Sequence, residues 1–269
     1  MKLFDFHTHA FPDAIAENAI GKLAKTFGFP PETDGTISDT VKKMKSWGVD
    51  GGVILNIATK PSQADSIYNF CTSINEQNIV AFASVHPDDP NLEKNLERIK
   101  NGGLKGIKIH PDYQDFFVDE PRAFKIYKKC EELGLIVDFH AGFDFYAPVI
   151  FHGRPDLFAK ISDGCPNLTI VLAHLGGIKL WDDVEKYIVG RKNIYLDTSM
   201  LYRFMQPEQT KRIILNHGAE NILFGSDCPW ENPTDSLKYL KSLELTGQQM
   251  ELICYKNAER LLNINIIKQ

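Results

Sequence analysis

Eight short apolar runs recur along the chain: Leu3 to Phe6, Gly52 to Asn56, Val80 to Ser84, Gly106 to Ile109, Ile136 to Phe139, Thr169 to Ala173, Ile194 to Asp197 and Ile222 to Gly225. They lack strict polar alternation and are rich in Val, Ile, Leu and Phe, as parallel strands covered on both faces are. Between them lie segments with apolar residues at helical intervals, among them Thr36 to Trp47, Asn91 to Lys100, Arg122 to Leu133 and Trp181 to Val189. Gly48, Gly134 and Gly218 stand where helices would end. Eight strand-helix units at a period of roughly 30 residues fit a closed (β/α)8 TIM barrel, an α/β fold, better than an open doubly wound sheet. The open sheet would place Gly-x-Gly-x-x-Gly after its first strand; here that place holds His7-Thr8-His9. A last amphipathic stretch, Gln249 to Leu262, is expected to pack outside the barrel, and Ala10 to Gly35, with its prolines and glycines, reads as a lid segment.

No linker or composition shift divides the 269 residues, so residues 1–269 read as one domain. Hydrophobic residues make up 43% and charged residues 24%, enough to build a core. The net charge of -5 lacks the basic footprint of nucleic-acid binding and points to a small-molecule substrate. No apolar run is long enough to span a bilayer and no signal peptide is evident, so no membrane partner and a cytoplasmic location are expected. The cysteines are odd in number and scattered, which predicts reduced, buried thiols. Homo-oligomerisation is compatible with the sequence but not encoded in any visible pattern.

Histidine placement carries the chemistry. Of eight histidines, six (His7, His9, His86, His110, His140 and His174) fall at or just past a predicted strand end, the end at which barrels of this kind build their active sites. Asp227 follows the last strand. Imidazoles and a carboxylate on a rigid scaffold make a site for a divalent cation with an open position. Asp5 shares the strand parity of His7 and is expected one layer beneath it, orienting its ring. Gly176 and Gly177 offer backbone N–H groups for an oxyanion. Arg203, after Asp197, Thr198 and Ser199, is placed to clamp a substrate carboxylate. Phe143, Phe145, Tyr146, Phe151 and Trp230 are candidates for the wall of a cavity for a flat ligand, and His110 for its mouth.

Taken together, Asp5-Phe6-His7-Thr8-His9, Gly106 to Pro111, Asp138 to Gly142, Leu172 to Gly177 and Gly225 to Trp230 resemble the amidohydrolase superfamily, in particular its amidohydrolase-2 branch of hydrolases, lactonases and nonoxidative decarboxylases. The resemblance implies that His7, His9, His140 and Asp227 bind the metal, with Asp227 also catalytic as proton acceptor. It implies a catalytic acid, base or electrostatic role for His174, or a place for it on a second ion bridged by Lys108. Zinc is the expected cofactor, one ion rather than two, although nitrogen and oxygen ligands accept several first-row metals. The expected activity is metal-dependent hydrolysis of an amide, lactone or ester. Nonoxidative decarboxylation of an aromatic or unsaturated acid is the alternative reaction, and a noncatalytic metal- or ligand-binding barrel the alternative class. His110, Arg203 and Trp230 are the expected substrate contacts.

Overall fold

The computed structural model describes residues 1–269. The eight apolar runs form eight strands: β1 (Phe4–Thr8), β2 (Gly51–Leu55), β3 (Ile79–Phe82), β4 (Gly106–Ile109), β5 (Ile136–Phe139), β6 (Ile170–Leu172), β7 (Ile194–Asp197) and β8 (Ile222–Leu223). All pairings between neighbouring strands are parallel. The β1-β2-β3 and β4-to-β8 ribbons join through bridges Ala83 to Ile107 and Thr8 to Cys228. Backbone bonds from Lys108 N to Ala83 O (2.8 Å) and from Phe6 N to Phe224 O (2.7 Å) complete the ring. The chain is a TIM barrel of one domain.

Side chains from six strands, Phe4 and Phe6, Val53 and Leu55, Phe82, Ile136, Val171 and Leu223, meet in one buried cluster with Ala258, Leu262 and Ile266. Residues from so many strands can meet only inside the ring, so the barrel is filled below the site and the last helical segment closes its far end. That segment runs from Gly247 to Leu262 with a π-helical insert at Leu252–Lys256. On the outside, Phe139 packs on Tyr127 of helix Pro121–Leu133 and on Phe158 of helix Pro155–Gly164.

Two local departures from the sequence reading shape the site. The pairing of β1 with β2 shifts register between Asp5 and Thr8, one extra residue in β1. A bulge breaks the strict period of two, so Phe6 joins the interior cluster and Asp5 is not the residue beneath His7. Asp5 instead accepts from Ser226 N (2.9 Å) and His7 N (3.1 Å), tying β1 to the segment after β8. The second departure is Asp13–Phe27, a 15-residue helix, not placed from the sequence, within the segment read as a lid. Its inner residues Ala16, Ile20, Leu23 and Phe27 follow helical spacing, a signal hidden by the flanking Pro12 and Gly28.

Candidate metal centre

His7 and His9 each spend one ring nitrogen on a fixed partner and turn the other inward. His7 Nδ1 donates to Asp197 Oδ2 at 2.7 Å, and His9 Nδ1 donates to the Leu55 carbonyl at 2.9 Å. These bonds assign the tautomers and leave each Nε2 a free lone pair. Both face Asp227 Oδ1, His9 at 3.0 Å and His7 at 3.4 Å. The three donor atoms form a compact cluster of metal-binding geometry. Burial lowers the His7 pKa well below its ordinary value, so the ring is neutral, as a ligand must be. A second partner holding each ligand ring is the usual support of a metal site. The donor set, two imidazoles and a carboxylate, fits zinc, manganese, iron or cobalt.

Asp227 has a positive φ of 72°, rare for a residue other than glycine, and its N–H donates to the His7 carbonyl at 2.8 Å. Such a conformation costs about 1–3 kcal/mol and persists where surrounding structure holds it. Burial raises its carboxyl above the ordinary value, while the His9 hydrogen bond acts the other way. His174 is also left-handed, at φ 57°.

His140, expected as the third imidazole, does not join the His7, His9 and Asp227 cluster. Its Nε2 donates to the Phe143 carbonyl at 3.2 Å and its Nδ1 accepts from His174 Nε2 at 3.2 Å. His174 Nδ1 in turn lies 2.9 Å from the Ser199 hydroxyl. The result is a chain of neutral rings beside the His7, His9 and Asp227 cluster, with His7 and His174 stacked at 5.3 Å. Burial lowers the pKa of both His140 and His174. His110, His140 and Asp144 also gather, but the two rings stack parallel, 8° between planes and 4.2 Å between centroids. Parallel planes cannot both aim in-plane lone pairs at one ion.

Lys108 lines the cavity, but its ammonium donates to the buried Asp138 Oδ1 at 2.6 Å instead of bridging the imidazoles. Gly176 N–H and Gly177 N–H donate to Ala173 and His174 carbonyls, so the oxyanion role read from that pair is lost to a tight turn. Arg203 does not line the cavity; its Nε pairs with the buried Glu231 at 3.0 Å, and its guanidinium covers Phe29. His86 also stays out, its Nδ1 accepting from Asp88 N. Asp197, given no role in the sequence beyond its place at the end of β7, is the carboxylate that orients His7.

The cluster opens into a cavity of about 200 Å³. Its walls include Phe11, Leu23, Phe27, Phe143, Phe145 and Trp230. Trp230 meets Phe27 edge to face at 4.7 Å, and His110 stacks on Tyr113 at 3.8 Å. His110 and Trp230 thus stand where the sequence put them, at the cavity. No helix is long and apolar enough to cross a membrane, and all five cysteines are free and buried.

A family model described as amidohydrolase matches residues 4–264. Among curated proteins, the decarboxylase orsB of Emericella nidulans is 26% identical over 149 residues, which are 48% of this chain and 44% of that relative. The matched stretch therefore spans less than half of that protein. A dihydroxybenzoic acid decarboxylase from Polaromonas, solved with bound manganese and the inhibitor 2-nitroresorcinol, superposes with a TM-score of 0.72 at 16% identity, over 97% of each chain. A putative 2-pyrone-4,6-dicarboxylic acid hydrolase from Pseudomonas putida gives 0.66 at 16% identity, again over 97% of each chain. At such identities these two structures speak for the fold alone.

Proposed function

Because the chain belongs to the amidohydrolase family, we propose that it is a divalent-metal-dependent nonoxidative decarboxylase of a small, flat, unsaturated carboxylic acid. The observation that carries this reading is the His7, His9 and Asp227 cluster opening into an aromatic-walled cavity. Hydrolysis, the reading first favoured by the sequence, gains most from an oxyanion donor, and Gly176 and Gly177 do not provide one. The decarboxylases among the similar proteins support the same choice, although the pyrone hydrolase keeps metal-dependent hydrolysis of a lactone or ester as the second reading.

When bound, a divalent cation supplies Lewis acidity, polarising a substrate oxygen and easing loss of a proton from bound water. His7, His9 and Asp227 would hold one ion, with His140 and His174 beside it. Lys108 is already engaged by Asp138, which favours a single ion over a lysine-bridged pair. Zinc remains the expected metal from the donor set, with manganese, found in the Polaromonas protein, the main competitor.

The chain's own work is positioning and proton transfer. Phe27, Phe145 and Trp230 bind the flat face of the substrate and exclude water. Asp227, the carboxylate of the cluster, takes up a proton from water and passes it to the carbon that bears the carboxylate. The bond from that carbon to the carboxylate then breaks, its electron pair returns to the unsaturated system and carbon dioxide leaves. His174, neutral and donating to His140, lines the cavity and holds the His140 ring in place beside the substrate.

The test is carbon dioxide release by metal-loaded protein from a panel of aromatic and unsaturated acids. Asp227→Asn should lower any release by at least about a thousandfold, the scale of losing a proton-transfer group. Turnover of lactones or esters with no carbon dioxide from any acid would replace this reading with the hydrolytic one.

A further inference from the structure

Asp144 gives the cavity a polar element that the metal chemistry does not use. It lies in the segment between β5 and helix Pro155–Gly164, with its side chain 5% exposed. Its Oδ1 accepts from Tyr146 N at 2.6 Å. Its Oδ2 is 3.6 Å from His110 Nε2 and 3.8 Å from His140 Nε2, both longer than a hydrogen bond, and the residue lines the cavity. A cavity-facing carboxylate oxygen without a hydrogen-bond partner within the protein keeps acceptor capacity that an arriving donor fills.

The charges around it are as informative. Lys108 is the one lysine or arginine lining the cavity, and Asp138 already neutralises it. Arg203 is held outside by Glu231. Asp144 and Asp227 line the same space, with Asp138 and Asp197 bonded to Lys108 and His7 behind it, and Lys179, held over the Phe143 ring, is not among the lining residues, so the cavity lining itself offers no unpaired cation to a second substrate carboxylate.

We propose that Asp144 is a specificity-determining residue: its Oδ2 accepts from a hydroxyl or amino group on the substrate and repels any second carboxylate. This deepens the decarboxylase reading, and rests on it, by naming the substrate class as hydroxylated or amino-substituted monocarboxylic acids, not dicarboxylic acids. A donor meeting an ionised acceptor forms one of the stronger hydrogen bonds available to a protein. A second anion there would face the carboxylate without a counter-charge, a device that discriminates by repulsion.

The experiment is calorimetric titration of the metal-loaded, full-length protein with benzoate, 3-hydroxybenzoate, isophthalate and the carboxylate-free diphenol resorcinol. 3-Hydroxybenzoate should bind about tenfold more tightly than benzoate, and isophthalate at least about tenfold more weakly. Asp144→Asn, nearly equal in volume, should shrink the isophthalate penalty to about threefold or less and weaken resorcinol by about tenfold. Asp144→Ala should do the same, should the amide adopt new hydrogen bonds. Wild-type isophthalate binding as tight as benzoate, or variants that leave both resorcinol and isophthalate unchanged, would overturn the assignment. The two proposals fail separately. Missing carbon dioxide with these ratios intact removes the reaction but not the role of Asp144, and if no acid binds, the resorcinol comparison decides alone.

Discussion

Asp197 settles at the scale of one residue which nitrogen of His7 faces the cavity. Its Oδ2 accepts from His7 Nδ1–H at 2.7 Å, while its Oδ1 accepts from the N–H groups of His174 and Ser199 at 3.0 and 2.9 Å. One buried carboxylate therefore fixes the His7 ring and the neighbouring histidine backbone together. Asp197→Asn keeps the shape but removes the charge that makes the ring a better donor. Metal affinity, measured by competition against a chelator, should fall about 10- to 100-fold; an unchanged affinity would reduce Asp197 to a packing role. The sequence showed the carboxylate at a strand end but not its partner, because His7 lies 190 positions away. Asp5 looked the better candidate only because alternation was assumed to hold through a strand that contains a bulge.

Among the elements, the segment after β5 and the helix before Gly218 show how loops and helix ends are anchored. Gly142 has φ 88°, and a Cβ there would lie 2.4 Å from the backbone of Ile178, with which it forms a bridge. Gly142→Ala should destabilise the protein by about 2–4 kcal/mol in denaturant titration and disturb the cavity wall that Phe143 and Phe145 build. A loss below about 1 kcal/mol would mean that the segment shifts freely. At the end of helix Pro207–His217, His217 Nε2 donates to the Ile194 carbonyl at 2.9 Å and Nδ1 accepts from Gly190 N at 3.2 Å. Both bonds need the neutral ring, and burial lowers its pKa from the ordinary 6.5. Between that lowered value and 6.5 the unfolded chain takes up a proton that the folded chain refuses. Stability is therefore complete above this window and declines as pH falls through it. His217→Gln should show a shallower loss of melting temperature from about pH 7.5 to about pH 5 than the parent protein; parallel curves would contradict it.

The whole molecule joins these parts by closing the ring, which brings β1 beside β8 and so His7 and His9 beside Asp227, 220 and 218 positions apart. Because an ion that binds only this folded arrangement stabilises it, chelation should lower the melting temperature. Free ion at about 100 times its dissociation constant contributes about 2.7 kcal/mol, and elemental analysis should return close to one ion per chain. A melting temperature indifferent to chelator would argue that these donors hold no ion. The sequence by itself determined the eight strands, their parallel order, the barrel and the strand-end location of His7, His9, His140, His174 and Asp227, since apolar runs and helical spacing are local signals. Side-chain direction was not local. The bulge in β1, the turn of His140 toward His174, the capture of Lys108 by Asp138 and the withdrawal of Arg203 to Glu231 depend on contacts between segments distant in sequence. Only the closed tertiary structure decided which partner each polar group found, because burial leaves every such group to pair with whichever neighbour the packing supplies.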